Sequence, residues 1–188
     1  ELKKLKSTGF FTSFFVGGLV AALVPIANTG FRTELFTSLE GSPLSILLNA
    51  NLQMVTMLNQ ILIICGACLM YHTEYADHAI RRMLTLPLKG ESLFFGKSLL
   101  LALGFFFLLV LESASYAFCT MHWFRMTDGF LPELLKNMGF AALLTLPTLL
   151  FMLLVAPACQ SMWVSLGIGV IFMSMGTVLP EGPFLLTL

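Results

Sequence analysis

The fold is decided by long apolar runs such as residues 98–120, SLLLALGFFFLLVLESASYAFCT, in which Glu112 is the one charged side chain. A helix needs about 20 mainly apolar residues to cross the hydrocarbon core of a bilayer. Runs of this length recur at about 9–28, 50–71, 98–120, 137–157 and 162–180. The strands of a membrane barrel would instead be short and alternating. The sequence therefore predicts an all-α, polytopic membrane protein with five membrane-spanning helices.

The composition supports the same class. Apolar residues make up 57% of the chain and charged residues 11%, whereas soluble domains carry roughly 25% charged residues. The net charge is zero, and the basic residues do not form the patch that nucleic-acid binding requires. We interpret residues 1–188 as a single transmembrane domain. Since the chain begins without Met and closes on the apolar stretch PFLLTL, we also expect a sixth helix beyond it at the C-terminus.

The distribution of basic residues predicts the orientation, because cytoplasmic loops are enriched in Lys and Arg. With the N-terminus inside, seven basic residues are cytoplasmic: Lys3, Lys4, Lys6, Arg81, Arg82, Lys89 and Lys97. Three are then external: Arg32, Arg125 and Lys136. We therefore predict a multi-pass protein of the cell membrane with a cytoplasmic N-terminus, with outer loops at 29–49 and 121–136.

Residues 72–97, HTEYADHAIRRMLTLPLKGESLFFGK, form a charged loop on the predicted cytoplasmic side. An amphipathic helix over 74–84 is expected there, with Thr73 available as its N-cap and Pro87 ending it. Such a helix has two interpretations. It lies passively at the lipid surface, or it docks a soluble partner and passes movement to the two adjacent spans.

The loop also resembles a known one. Glu74, Arg81-Arg82, the stretch LTLPL at 84–88 and Gly96-Lys97 are similar to the cytoplasmic loop of ABC-2-type permeases, the membrane subunits of type V ABC exporters. The layout resembles in particular the small permeases of lantibiotic immunity and bacitracin-type resistance transporters. The resemblance implies six helices per subunit, a second permease copy or paralogue, and a coupling helix docked on a cytoplasmic ABC ATPase. The coupling residues that it implies are Glu74, Asp77, Arg81, Arg82, Leu84 and Pro87.

The chain has no phosphate-binding loop of the form GxxxxGK[ST]. Residues 90–98, GESLFFGKS, have one residue too many and lead into a membrane span without a preceding strand. We therefore expect ATP and Mg to be bound by the partner ATPase, with no cofactor on this chain and no enzymatic activity of its own. The leading hypothesis is the permease of a bacterial ATP-driven exporter that removes an amphiphilic peptide antibiotic or another hydrophobic substrate. The alternatives are a membrane-anchored sensor or scaffold and an integral membrane enzyme.

Glu112 is a candidate functional residue because an acid inside the bilayer is costly and is normally retained for a reason. On a helix it shares a face with Leu108, Ser115, Tyr116 and Cys119. It either meets a cationic substrate or carries a proton along a pathway, or it is a protonated or hydrogen-bonded residue that joins neighbouring helices.

The second span carries a stripe of polar residues at helical spacing, Asn49, Gln53, Thr56 and Gln60, with Asn51 and Asn59 beside it. Such a stripe must face protein or water, because lipid offers no hydrogen-bond partner. A subunit interface, a translocation route and hydrogen bonding between helices of the same chain all satisfy this condition.

Small residues predict close helix packing at Gly17-Gly18 with Ala21-Ala22, and at Ser165 with Gly169. Pro25 and Pro147 should kink their helices or mark irregular ends. Cys65 and Cys68 form a CxxC pair inside an apolar span, which favours packing over metal or redox chemistry. The three histidines, His72, His78 and His122, are too far apart in the predicted topology to form a metal site.

Overall fold

The computed structural model describes residues 9–39, 41–76, 90–124, 129–159 and 161–178, with the backbone alone at 73–76, 90–93 and 177–178. These residues form six helices: α1 (Phe10–Phe31), α2 (Thr33–Thr37), α3 (Pro43–Ala76), α4 (Gly90–Trp123), α5 (Phe130–Ala158) and α6 (Met162–Val178). No strand occurs within the described ranges. The predicted class, an all-α polytopic membrane protein, is confirmed.

Four of these helices, α1, α3, α4 and α5, are long and apolar enough to cross a bilayer, and α6 is a shorter apolar helix. Each of the five overlaps a predicted span. Residues 159–161 join α5 to α6, and the two helices pack against each other.

The first predicted outer loop, 29–49, is wrong in its bounds, since α1 continues to Phe31 and α3 begins at Pro43. Asn28 lies inside α1, and its side chain donates from Nδ2 to Oδ1 of Asn51 at 2.8 Å. At the start of α3, Ser42 Oγ accepts the Ser45 N–H at 3.2 Å, and Pro43 takes the first helical position, where its missing N–H costs nothing.

The helices next to the charged loop are also longer than predicted. Helix α3 continues without interruption to Ala76, so Thr73 and Glu74 lie inside it and Thr73 is not the N-cap of a separate helix. Helix α4 begins at Gly90, ahead of the predicted start at 98. Pro25 and Pro147 both lie within continuous helices, α1 and α5, rather than at their ends.

Helix α3 is the centre of the bundle. It packs against α1, α4, α5 and α6. Half of the residues in its 18-residue apolar segment are buried, compared with 28% in the corresponding segment of each of the other three long helices. Phe14 of α1, Ile63 and Ile64 of α3, Leu101 of α4 and Met152 of α5 belong to one buried apolar cluster. This cluster holds α3 between the pair formed by α1 and α4 and the pair formed by α5 and α6.

Glycines allow these helices to approach closely at the predicted positions. A Cβ added to Gly18 of α1 would lie 2.8 Å from Leu108 Cδ2 of α4. One added to Gly169 of α6 would lie 2.7 Å from Ile64 Cγ2 of α3. Both distances are too short for a real side chain, so the predicted small-residue packing is confirmed at these two contacts.

Replacing Gly66 by Ala is expected to destabilise the bundle. Its new methyl group would lie 2.8 Å from Phe14 Cζ, and a methyl on Gly104 would meet the same ring from the other side at 3.0 Å from Cε1. Overpacking of this kind costs about 1–3 kcal/mol, which a fall in the melting temperature of the purified protein would report. Gly139→Ala is the control, because nothing lies within 4 Å of its Cβ position. Equal melting temperatures for both variants would contradict this packing.

Candidate functional site

The polar residues of α3 point in two directions. Asn51 and Asn59 are each 1% exposed and face into the bundle. Gln53 is exposed, Thr56 and Gln60 are half-buried, and all three lie along the outer side of the helix. The two sets therefore have different partners.

Gln53, Thr56 and Gln60 line a groove between α3, α5 and α6, with a volume of about 500 Å³. We call it the α3–α5–α6 groove. Its other walls are mainly apolar and include Leu144, Pro147 and Thr148 of α5 and Phe172, Met173 and Gly176 of α6. Asn49 is exposed at the end of the stripe and does not line the groove.

The groove offers hydrogen-bonding groups inside an otherwise apolar surface. The Gln60 Oε1 atom is buried and has no hydrogen-bond partner among the described residues. An apolar cleft with a few polar groups is the usual form of a small-molecule site. Of the three interpretations of the stripe, hydrogen bonding among the described residues of the chain therefore does not account for this oxygen.

The inward-facing set ties α3 to α1. Asn51 Oδ1 accepts from Asn28 Nδ2 at 2.8 Å, and Asn51 Nδ2 donates to the carbonyl oxygen of Leu47 at 2.8 Å. The amide oxygen and the amide nitrogen of Asn51 thus each have a hydrogen-bond partner inside the protein.

Glu112 lies on the side of α4 that faces α1 and α3. The side chain is 4% exposed, and its Oε2 atom accepts from Asn59 Nδ2 at 3.1 Å. The predicted neighbours on its face, Leu108, Ser115, Tyr116 and Cys119, are all buried. Ser115 Oγ donates to the carbonyl oxygen of Ala22 in α1. This face of α4 is therefore in contact with protein and not with lipid.

Asn59 is the functional candidate that the sequence did not single out. Its spacing from Asn51, two helical turns on the same face, was the available signal. That signal shows only that the two residues share a face. It does not show that this face meets Glu112 of another helix.

Lys97 joins the ends of α3 and α4 that lie next to the charged loop. It is 2% exposed, and its Nζ atom lies 4.1 Å from the ring centroid of Tyr71. A cation over an aromatic face is attracted to it, and more strongly when both are out of water. Lys97 is thus a buried contact between two helices, although the sequence placed it in the water-facing loop.

The coupling residues implied by the resemblance fall largely outside the described residues. Glu74 belongs to α3 by its backbone. Asp77, Arg81, Arg82, Leu84 and Pro87, with the helix expected at 74–84, lie in the range 77–89 or extend into it, and no structure is described there.

Cys68 of the CxxC pair lies at a contact between α3 and α6, whereas Cys65 is half-buried. Cys68 is buried, and its Sγ atom donates to Ser165 Oγ of α6 at 3.3 Å. Across the described ranges, no three His, Cys, Asp or Glu side chains come together in a way that could hold a metal ion.

Comparison with known families gives a match over most of the chain. The sequence model described as "ABC-2 family transporter protein" matches residues 1–176. Neither the curated proteins nor the solved structures contain a match.

Substituting Asn51 by Leu is expected to destabilise the fold, since it would leave the half-buried Asn28 amide without its partner. An unsatisfied buried polar group costs about 1–3 kcal/mol. The same substitution at Asn49, which is exposed two residues earlier, is the control and should change stability by less than about 0.5 kcal/mol. Melting temperatures in detergent or lipid compare the two variants. If Asn49→Leu destabilised as much as Asn51→Leu, the inward-facing position of Asn51 would be wrong.

Proposed function

The chain belongs to the ABC-2 transporter family and is a multi-pass membrane protein, and from this premise we propose that it is the permease subunit of a bacterial ATP-driven exporter. The match over residues 1–176 carries the proposal. The membrane subunits of this family serve transport, so the ATP-hydrolysing chemistry belongs to a separate protein.

In this proposal, cytoplasmic ABC ATPase subunits bind ATP and Mg and hydrolyse the nucleotide. The 188-residue sequence has no phosphate-binding loop, which supports a separate ATPase. A second permease copy or a paralogue completes the transporter, and the N-terminus is cytoplasmic, in agreement with the excess of basic residues on that side.

The charged loop is the proposed site of coupling to the ATPase. Helices α3 and α4 lead into it at Ala76 and Gly90, and the Lys97–Tyr71 contact joins them close to these ends. A push on the loop would therefore move α3 and α4 together. Since α3 packs against α5 and α6, movement of α3 would change the width of the α3–α5–α6 groove.

The groove is the proposed surface for the transported molecule. Its apolar walls and its line of glutamine and threonine side chains suit an amphiphilic ligand, which buries its apolar part and hydrogen-bonds its polar part. An amphiphilic peptide antibiotic fits this description, and the layout of the chain resembles lantibiotic-immunity permeases. We therefore propose this substrate class.

Replacing Arg81 and Arg82 together by Ala is expected to weaken binding of the ATPase. Loss of charged contacts worth roughly 1.4 kcal/mol corresponds to about a tenfold loss of affinity. The measurement is the amount of ATPase that co-purifies with the membrane protein from its native host. Lys136→Ala is the control, because this residue lies at the opposite end of the bundle, in the first turns of α5. A wild-type chain that co-purifies with no ATPase would contradict the permease function itself.

Replacing Gln53 and Gln60 together by Leu is expected to reduce transport while the ATPase stays bound. Each lost hydrogen bond is worth about 0.5–1.5 kcal/mol, so affinity for the substrate should fall about tenfold. The concentration of a lantibiotic that inhibits growth of cells carrying the complete transporter measures this change. Met54→Leu is the matched control on the same helix, because Met54 is exposed and does not line the groove. Unchanged resistance in the glutamine variant would contradict the role of the groove.

A further inference from the structure

Glu112 and Asn59 leave two oxygen atoms without a hydrogen-bond donor. One bond joins them, from Asn59 Nδ2 to Glu112 Oε2 at 3.1 Å. The other oxygen of each group, Glu112 Oε1 and Asn59 Oδ1, is buried and has no partner among the described residues. Both side chains are more than nine-tenths buried, at 4% and 1% exposure. The pair therefore has two buried acceptor oxygens, and a hydrogen atom shared between them would satisfy both.

The described residues around this pair supply no positive charge. Helix α1 has no ionisable side chain between Phe10 and Phe31. On α4, Tyr116 lies one turn further along, while the basic residues His122 and Lys97 lie ten residues later and fifteen residues earlier, about 15 Å and 22 Å along the axis. The nearest ionisable residue of α3 is Cys65, and those of α5 are Glu133 and Lys136 in its first turns. An ionised Glu112 would thus be an uncompensated charge within the bilayer, which is strongly unfavourable.

We propose that Glu112 is a proton-binding site, with the proton on Oε1 donated to Asn59 Oδ1. A single proton then satisfies both oxygens. The carboxylic acid and the carboxamide form a closed pair of two hydrogen bonds, N–H to Oε2 and O–H to Oδ1, that joins α3 to α4 inside the membrane. We call this pair the acid–amide latch.

The chemistry of the pair favours a proton over a metal cation. Calcium and magnesium require about six or more oxygen ligands, whereas the described residues leave two unpartnered oxygens at this pair. The nearby Ser115 hydroxyl is occupied as a donor to the Ala22 carbonyl oxygen. A proton needs no more than one donor atom and one acceptor atom.

Loss of the proton would open the latch. The O–H bond breaks, its electron pair stays on Oε1, and the proton leaves to water. The pair then loses one of its two hydrogen bonds and gains a buried negative charge. Because α3 and α4 are the two helices that flank the charged loop, the protonation state of Glu112 would set how firmly these helices are joined. The latch depends only on the contact between α3 and α4, so it would exist even if the proposed transport function were wrong.

Infrared spectroscopy of the purified full chain in lipid vesicles tests the proposal directly. The difference between wild type and Glu112→Gln at pH 5 should contain the carbonyl stretch of a hydrogen-bonded, protonated carboxylic acid. The same band should move toward the frequency of a free acid in Asn59→Ala, which removes its acceptor. A difference spectrum that contains a carboxylate band would overturn the proposal, and so would a band that changes with sodium concentration, which would identify a cation site.

Stability against pH supplies an independent test. The folded state keeps a proton that the unfolded chain releases above about pH 4.3, which is the usual pKa of a Glu side chain. The folded-to-unfolded ratio should therefore fall about tenfold per pH unit until folded Glu112 also releases its proton. In Glu112→Gln the side-chain amide makes both bonds without a titrating proton, so this dependence should disappear. The exposed residue Glu34 supplies the control, since Glu34→Gln should keep the wild-type dependence. Identical pH profiles for wild type and Glu112→Gln would overturn the latch.

Discussion

Helix α3 carries two sets of polar side chains across a medium that offers them no hydrogen bonds, and each set meets different neighbouring helices. Asn51 and Asn59 meet Asn28 of α1 and Glu112 of α4 on one side. Gln53, Thr56 and Gln60 line an open groove with α5 and α6 on the other. Satisfaction of polar groups in lipid is the strongest constraint on a membrane protein. In this chain it divides the bundle into a closed side and an open side.

Close steric packing completes the closed side. Gly18 brings α1 against Leu108 of α4, and the ring of Phe14 fits between Gly66 of α3 and Gly104 of α4. Lipid chains are as apolar as the side chains that they compete with, so van der Waals contact and hydrogen bonds hold membrane helices together rather than a hydrophobic force. Close approach at glycines and hydrogen bonds between asparagines therefore act together, and α1, α3 and α4 form the most tightly connected part of the bundle.

This division has a consequence for the proposed transport function. The two helices that flank the charged loop belong to the closed side, where Tyr71 and Lys97 join them near the loop and Glu112 and Asn59 join them deeper in the membrane. Helix α3 also forms one wall of the groove. A single helix thus connects the proposed site of energy input with the proposed substrate surface, and the strength of its contact with α4 affects both.

The sequence by itself determined the class of protein and the approximate positions of the five apolar helices that the structure describes, because a membrane helix is specified by the length and composition of one continuous segment. It also identified small residues such as Gly18 and Gly169, since their size alone permits close approach. It did not determine the start of α3, where Ser42 and Pro43 begin a helix within the predicted outer loop. Only the tertiary structure decided that Asn59 is the partner of Glu112 and that Asn51 and Gln53 have opposite surroundings. Helical spacing shows which residues share a face, but the neighbour of that face depends on the packing of helices that are distant in the sequence.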